Sequence, residues 1–320
     1  MKIGFLFPGQ GSQSVGMGKD IYEKYEIVRK IYKNVKDLTG VDVAEISFYD
    51  KENILNETKN TQLCILTMSL VILEILKQEG IKADIAAGLS LGEYTALIYS
   101  KVLNWEEGVS LVQKRGQYMQ KLVPEGEWLM AAILGMTEEQ VKEVCKNVTK
   151  GFVVPANFNT VGQIVISGEK EGVEEAEQIA KEMGAKKVRV LKTTGPFHTA
   201  KLEKASQALK KELEKTNFQL SEIPVVKNLD GKIYENEENK IDILSKHITH
   251  SVHFTKTLQT MLDFGVDTFV EIGPGKTLSG FIKRMPKDKE ITILNCNEVE
   301  NLENVIQTIK NKKEERKINE

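Results

Sequence analysis

The sequence predicts an α/β protein with a largely parallel sheet, into which a small ferredoxin-like βαββαβ unit is inserted. Three observations carry this expectation. Short apolar runs alternate with helical stretches through residues 1–126, the pattern of strands linked by crossover helices. Over 127–194 the order changes to strand, helix, two strands joined by a turn, helix and strand, a recurrent split β-α-β arrangement. Helix and strand then resume over 195–310. The large domain is therefore expected to be discontinuous (1–126 and 195–310), the small one to span 127–194, and a charged tail to occupy 311–320.

The elements read in order as follows. "KIGFLF" at 2–7 is a buried strand closed by Pro8 and the glycines of "PGQGSQ", which break regular structure. A helix is expected over about 20–37. "TQLCILTMSLVILEILKQEG" (61–80) is apolar on most faces, hence a deeply buried helix stopped by Gly80. "ADIAAG" is a strand, "LGEYTALIYSK" a helix, and "NWEEGVSLVQKRGQYMQKL" (104–122) an amphipathic helix. In the small unit "EWLMAAILG" is a strand and "TEEQVKEVCKNV" a helix with a Thr cap and Glu at the capping-box position. "FVVPANFN" and "GQIVISG" pair through a turn, "KEGVEEAEQIAKEMG" is a helix ending at Gly184, and "KKVRVLKT" is the last strand. Beyond it "TAKLEKASQALKKELEK" is helical and "FVEIGPG" is a strand entering a turn.

Composition sets limits on function. The 320 residues are 41% hydrophobic and 28% charged, with a net charge of −2, so no global electrostatic argument favours nucleic acid or a membrane surface. Cys64, Cys145 and Cys296 are far apart with no CxxC, which points to a reduced, cytoplasmic protein. Cys64 reads as a small core residue. The first apolar run is too short for a signal peptide, and no window is expected to reach the roughly 18 apolar residues of a membrane span.

The chemistry centres on "GLSLGEYTAL". A G-x-S-x-G between strand and helix exposes a serine Oγ and aims the next backbone N–H groups at a developing oxyanion. By itself the motif leaves a nucleophilic Ser90 and a tight turn with an incidental serine level. A nucleophile needs a base, and only His198, His247, His250 and His253 are available. His198 stands alone in the loop "TTGPFHTAK", the kind of segment that carries catalytic groups. The other three fall at i, i+3, i+6 in "HITHSVHF"; a partly exposed surface segment is the ordinary reading, and no metal site is expected. "PGQGSQ" fails as a dinucleotide fingerprint because Ser14 holds the third glycine position. "GPGKT" fails as a P-loop because Val270 holds the first. What remains for Gly9–Gln13 is a nest of N–H donors that could complete an oxyanion hole. Arg115, beside Gly116 in "QKRGQYM", is either a solvated surface residue or a guanidinium turned inward where backbones pack closely.

"FLFPGQGSQ", "GLSLGEYTAL", "QKRGQYM", "ANFNTVGQIVISG", "GPFHT" and "EIGPGKTLSGFIKR", in that order over residues 3–297, resemble the malonyl-CoA:acyl carrier protein transacylases of bacterial fatty acid synthesis. The resemblance implies an α/β-hydrolase-like large domain with a ferredoxin-like insertion. It implies that Ser90 receives malonyl from malonyl-CoA and passes it to the phosphopantetheine thiol of acyl carrier protein, with His198 as base. It assigns the oxyanion hole to the N–H groups of Gln10 and Leu91, and the malonyl carboxylate to Arg115. Phe197 is implied to favour malonyl over branched acyl groups, while Asn159 and Gln163 would line the cleft. Leu89 stands where the family usually has His. "HSVHF" (250–254) replaces the family's N-P-V-x-W segment, whose backbone carbonyl orients the catalytic His; the alignment puts that carbonyl on His253. A basic docking surface for acidic carrier protein is implied at Lys187, Arg189, Lys192, Lys201, Lys204 and Arg284. No cofactor is expected, and the chain is expected to act as a monomer. The elbow alone would equally serve a serine hydrolase or thioesterase, or an acyltransferase for a polyketide carrier. The arginine and the inserted domain favour transfer.

Overall fold

The apolar run Ile3–Phe7 forms β1, buried at every residue, at the centre of a five-stranded sheet. The computed structural model describes residues 1–191, 195–288 and 290–319, and side chains as far as Glu315. After β1 come α1 (Lys19–Lys24), α2 (Glu26–Thr39) and α3 (Val43–Phe48). The single helix expected over 20–37 is two, because Tyr25 is extended (φ −109°, ψ 119°) and ends one helix while starting the next. α4 (Thr58–Gln78), β2 (Ile85–Gly88), α5 (Leu91–Tyr99) and α6 (Trp105–Lys121) complete the first segment.

The small unit is β3 (Trp128–Leu134), α7 (Glu138–Lys146), β4 (Val153–Thr160), β5 (Gln163–Glu169), α8 (Lys170–Glu182) and β6 (Lys187–Val190). Its sheet runs β4-β5-β3-β6 with every pair antiparallel, the ferredoxin-like order. α7 and α8 cover this sheet over an apolar cluster that includes Ile133, Val141, Phe158, Ile166 and Val173. The capping box on α7 is closed by Thr137 and Gln140, not by a glutamate, since Gln140 holds the third helical position.

The chain then returns through α9 (Glu203–Leu213), β7 (Val225–Val226), α10 (Lys240–His247), α11 (Phe254–Asp263), β8 (Thr268–Ile272), α12 (Thr277–Arg284), β9 (Thr292–Cys296) and α13 (Val299–Asn319). α13 continues through the segment expected to be a charged tail. The large sheet has the order β7-β2-β1-β8-β9, all parallel. This is the α/β-hydrolase-like architecture with a second, antiparallel sheet.

Two packing features position the site. α4 is long and apolar enough by composition to cross a membrane, contrary to the expectation from sequence, yet it is almost wholly buried among α2, α3, α5, α6 and β8. It serves as a core helix, and its N-terminal turn brings Thr58 and Gln62 to the loop after β1 and to α6. Second, the edge strand β4 is tied to the large unit. Val252 N–H donates to Ala156 O, and Val252 O accepts from Phe158 N–H, both at 2.8 Å. Thr160 Oγ1 donates to Phe281 O at 2.8 Å. An edge strand also tolerates Pro155, which has no N–H to contribute.

Candidate active site

Ser90 lies between the C-terminal end of β2 and the first turn of α5, with φ 53° and ψ −102°. A non-glycine residue in that region is strained by about 1–3 kcal/mol, and its neighbours show what holds it. A Cβ on Gly88 would fall 1.9 Å from Gly92 C, and one on Gly92 would fall 2.0 Å from Phe7 O. Both glycines are therefore demanded by backbone-to-backbone packing, which is the physical content of the G-x-S-x-G spacing. Gly9 meets the same turn from the other side, where a Cβ would sit 2.4 Å from Leu89 O.

His198 is almost fully buried, in a positive-φ loop conformation (φ 59°). Ser90 Oγ donates to His198 Nε2 at 2.8 Å, and His198 Nδ1 lies 2.9 Å from the carbonyl oxygen of His247. A carbonyl only accepts, so the proton is on Nδ1 and the Nε2 lone pair faces Ser90. Burial first, and then the charge of Arg115, push the imidazole down to about 4. It is thus neutral, and competent as a base, across the physiological range.

The orienting carbonyl is His247's, which corrects the assignment to His253. His253 O is occupied by Thr257 N–H at 3.0 Å one turn into α11. The His253 ring instead stacks on Phe158, with centroids 5.0 Å apart and planes 6° from parallel. Without the family's proline, the sequence lacked a fixed point for aligning this segment. The segment is partly exposed, as expected: His247 is fully buried, His253 is half-buried and His250 is open to solvent. Among the described residues no group of His, Cys, Asp and Glu is arranged to hold a metal.

Arg115, on α6, is wholly buried. Nη1 donates to Gln62 Oε1 at 2.6 Å and Nη2 to Ser90 Oγ at 3.1 Å, while Nε has no partner. The guanidinium lies over the Tyr94 ring, 5.2 Å from its centroid. Among the described residues no carboxylate lies in ion-pair contact with it, although the Glu93 carboxyl is near enough to favour its charge. Burial lowers its pKa, although a guanidinium stays charged. Gly116 explains the inward turn, since a Cβ there would meet Lys59 Cα at 2.9 Å.

These groups face a cavity of about 120 Å³ lined by Gln10, Gln62, Leu89, Ser90, Leu91, Arg115 and His198, and by the apolar Met119, Met130, Val165, Leu191 and Phe197. Asn157 and Asn159 of β4 also line it. Gln163 does not, against expectation: at the start of β5 its side chain accepts from Arg284 Nη1 at 2.9 Å on the exposed surface. The backbone N–H groups of Gln10 and Leu91 have no acceptor among the described residues, whereas Ser90 N–H is taken by Asn228 Oδ1 at 2.7 Å. Of the expected basic surface, Lys187, Arg189, Lys204 and Arg284 are exposed and Lys201 is half-buried beside Glu169; Lys192 lies outside the described residues.

The helix N-terminus in "GPGKT" is already filled. Glu271 accepts from Leu278 N–H at 3.0 Å, and from Ser279 N–H and Oγ at 2.7 Å each. The chain's own carboxylate therefore occupies the place a phosphate would take. Sequence reasoning missed Gln62, Asn228, Glu93 and His247. Glu93 did leave a signal, as the one charged side chain of an apolar helical stretch; Gln62, which follows Lys59, Asn60 and Thr61, and Asn228 left none.

The chain matches the acyl transferase domain family over residues 4–316. It is 38% identical to malonyl CoA-acyl carrier protein transacylase of Bacillus subtilis, over 97% of this chain and 98% of that one. The crystal structure of malonyl CoA-acyl carrier protein transacylase from Clostridium perfringens superposes with a TM-score of 0.94 at 40% identity, covering 99% of this chain and 100% of the other. A malonyl-transacylase in complex with its type II PKS acyl-carrier protein gives a TM-score of 0.92 at 34% identity, covering 96% and 100%.

Proposed function

The chain belongs to the malonyl CoA-acyl carrier protein transacylase family, and from that premise we propose that Ser90, His198 and Arg115 carry out its reaction. It is an acyltransferase that moves malonyl from coenzyme A to acyl carrier protein for fatty acid synthesis. In the proposed mechanism His198 Nε2 takes the Ser90 proton as Oγ attacks the malonyl thioester carbonyl. The N–H groups of Gln10 and Leu91 receive the oxyanion, since Ser90 N–H is engaged elsewhere. The tetrahedral intermediate expels the coenzyme A thiolate, which takes the proton from His198, and a malonyl ester remains on Ser90. The carrier protein's phosphopantetheine thiol then attacks the ester, giving its proton to His198, which returns it to Ser90 Oγ as malonyl departs on sulfur.

The observation that carries the substrate assignment is Arg115. A buried guanidinium 3.1 Å from the nucleophile, bonded only to neutral groups, lacks an anion. The malonyl carboxylate supplies one at the right distance from the reacting carbonyl. Phe197 and Asn159 bound the acyl group. Lys187, Arg189, Lys204 and Arg284 are the residues proposed to meet the acidic carrier, with residues 127–194 forming one wall of the cleft as a separate domain beside 1–126 and 195–310. We further propose that the chain acts as a cytoplasmic monomer without a metal or cofactor; its three free cysteines fit a reducing compartment.

Intact-mass measurement after mixing with malonyl-CoA tests the reading. One malonyl group should add to the chain, persist in buffer, vanish on addition of pantetheine, and be absent from Ser90→Ala. Rapid release of malonate without an adduct would instead identify a hydrolase. Discharge by a polyketide carrier but not a fatty acid carrier would reassign the acceptor.

A further inference from the structure

On the side of Ser90 away from the cavity, four buried polar side chains meet. Glu93, in the first turn of α5, accepts from Asn228 N–H at 2.9 Å through Oε2 and from the Tyr234 hydroxyl through Oε1. Asn228, fully buried just after β7, spans the elbow: its Oδ1 takes Ser90 N–H at 2.7 Å and its Nδ2 donates to Gly88 O at 2.7 Å. Its own carbonyl accepts His253 N–H at 2.8 Å. The His247 ring lies 3.6 Å from Glu93 Oε2 and 5.3 Å, centroid to centroid, from the His198 ring. His247 is held neutral by burial, so its contact with Glu93 is that of a neutral ring against a carboxyl and not an ion pair.

Resting on the assignment of Ser90 and His198 above, we propose that Asn228 and Glu93 are positioning residues for acyl transfer, Asn228 by stapling the strained elbow and Glu93 by anchoring Asn228. The two side-chain bonds of Asn228 join residues 88 and 90 across the turn. They fix the backbone on both sides of Leu89 while Ser90 remains at φ 53°. Without them Ser90 relaxes toward an ordinary conformation, and Oγ moves off the 2.8 Å contact with His198. Engaging Ser90 N–H also removes it from the oxyanion site and leaves Leu91 N–H to point there. Glu93 fixes Asn228 by its backbone N–H and stands against the residue whose carbonyl orients the base, so one carboxyl borders both halves of the nucleophile–base pair. Burial lifts this carboxyl to about 7, against the bonds from Tyr234 and Asn228 and the charge of Arg115.

Single-turnover acylation by malonyl-CoA, read by quenched-flow mass spectrometry, tests the proposal. Asn228→Ala should slow acylation about 10²-fold, the cost of misplacing reacting atoms by about 1 Å, with the half-saturating malonyl-CoA concentration unchanged because Arg115 and the cavity are intact. Glu93→Ala should slow it likewise and Glu93→Gln should restore most of the rate, since an amide oxygen still accepts from Asn228. The double variant Asn228→Ala/Glu93→Ala should be no slower than Asn228→Ala alone, because both act on one element. If Asn228→Ala does not fold, Asn228→Asp decides: it keeps the acceptor for Ser90 N–H but sets an oxygen against Gly88 O. Wild-type acylation per folded molecule in Asn228→Ala, Asn228→Asp or Glu93→Ala, no recovery in Glu93→Gln, or additive losses in the double variant, would overturn the proposal. Retention of the adduct by Ser90→Ala would instead overturn the parent assignment.

Discussion

Replacing Arg115 with methionine tests the proposed recognition of the malonyl carboxylate separately from the rest of the chemistry. A guanidinium has five N–H donors, and Gln62 and Ser90 use two of them, so three remain for an acyl group in the cavity. Two of these directed at one carboxylate make charge-assisted bonds worth about 1.5–3 kcal/mol each. Taking only the lower end for both gives about 3 kcal/mol, which is about 10²-fold in kcat/KM. Methionine nearly fills the volume but donates nothing. The ratio of kcat/KM for malonyl-CoA over acetyl-CoA should therefore fall by at least about 10²-fold.

In the proposed mechanism both thioesters would use the same serine, base and oxyanion donors, so the ratio isolates what Arg115 does for the carboxylate. Arg115→Met also removes a donor to Ser90 Oγ, and that loss affects both substrates alike. Loading of each acyl-CoA, followed by discharge to carrier protein, gives the two constants, and a thermal melt gives the fold. Arg115→Met leaves the buried Gln62 Oε1 without its donor, which costs about 1–3 kcal/mol, so the melting temperature should fall modestly and to the same extent whichever thioester is assayed. Equal losses for malonyl-CoA and acetyl-CoA would refute the carboxylate role and confine Arg115 to the support of Ser90.

Three further outcomes follow from the same geometry. The imidazole of His198 is pushed down to about 4, so the acidic limb of kcat/KM for malonyl-CoA should fall near there in pH-jump assays. Arg115→Met should move that limb upward, and a wild-type limb at an ordinary histidine value would contradict the burial argument. The stability sign is set by the same shift: between 6.5 and about 4 the unfolded chain binds the His198 proton more readily, so this group's contribution declines as pH falls through that window. Gly92→Ala places a Cβ 2.0 Å from Phe7 O; with backbone on both sides it should cost about 1–3 kcal/mol or more, and an unchanged melting temperature with full activity would refute the packing argument. Phe197→Ala should enlarge the cavity and raise loading of methyl-branched malonyl-CoA relative to malonyl-CoA, as measured by competition between the two.

Much of the fold was legible because its signals are local. The five buried residues of β1, the glycines flanking Ser90 and the alternation in 127–194 each state a conformation within a few residues. The misreadings share a cause. Tyr25 is a good helix former by pattern, yet the chain must turn there to lay α2 against α4, and no residue near it marks the break. α4 has the composition of a membrane helix and the surroundings of a core helix; surroundings are a property of the tertiary structure. Gln163 sits in a motif with Asn159, but a turn separates β4 from β5 and carries its side chain away from the cavity to Arg284.

In the site, what was readable were side chains whose chemistry is their own: a serine on an elbow, a lone loop histidine, an arginine beside a glycine. What was hidden was the backbone. The acceptor that fixes the His198 tautomer is the carbonyl of His247, a group every residue possesses, so no side chain in "SKHITHSVHF" could announce it. Asn228 was invisible for a related reason: its partners are the backbone groups Ser90 N–H and Gly88 O, 138 and 140 residues away, and nothing in the motif that holds those two residues names a distant asparagine. Yet the strain at Ser90 implies such a partner, because a backbone held at φ 53° persists only where its surroundings over-determine it. The sequence motif thus supplies the room for the strained turn through its two glycines, while the force that keeps the turn closed comes from a distant strand end. A chain that kept G-x-S-x-G but lost the asparagine would preserve the motif and lose the geometry, which is why the elbow and its staple have to be read together.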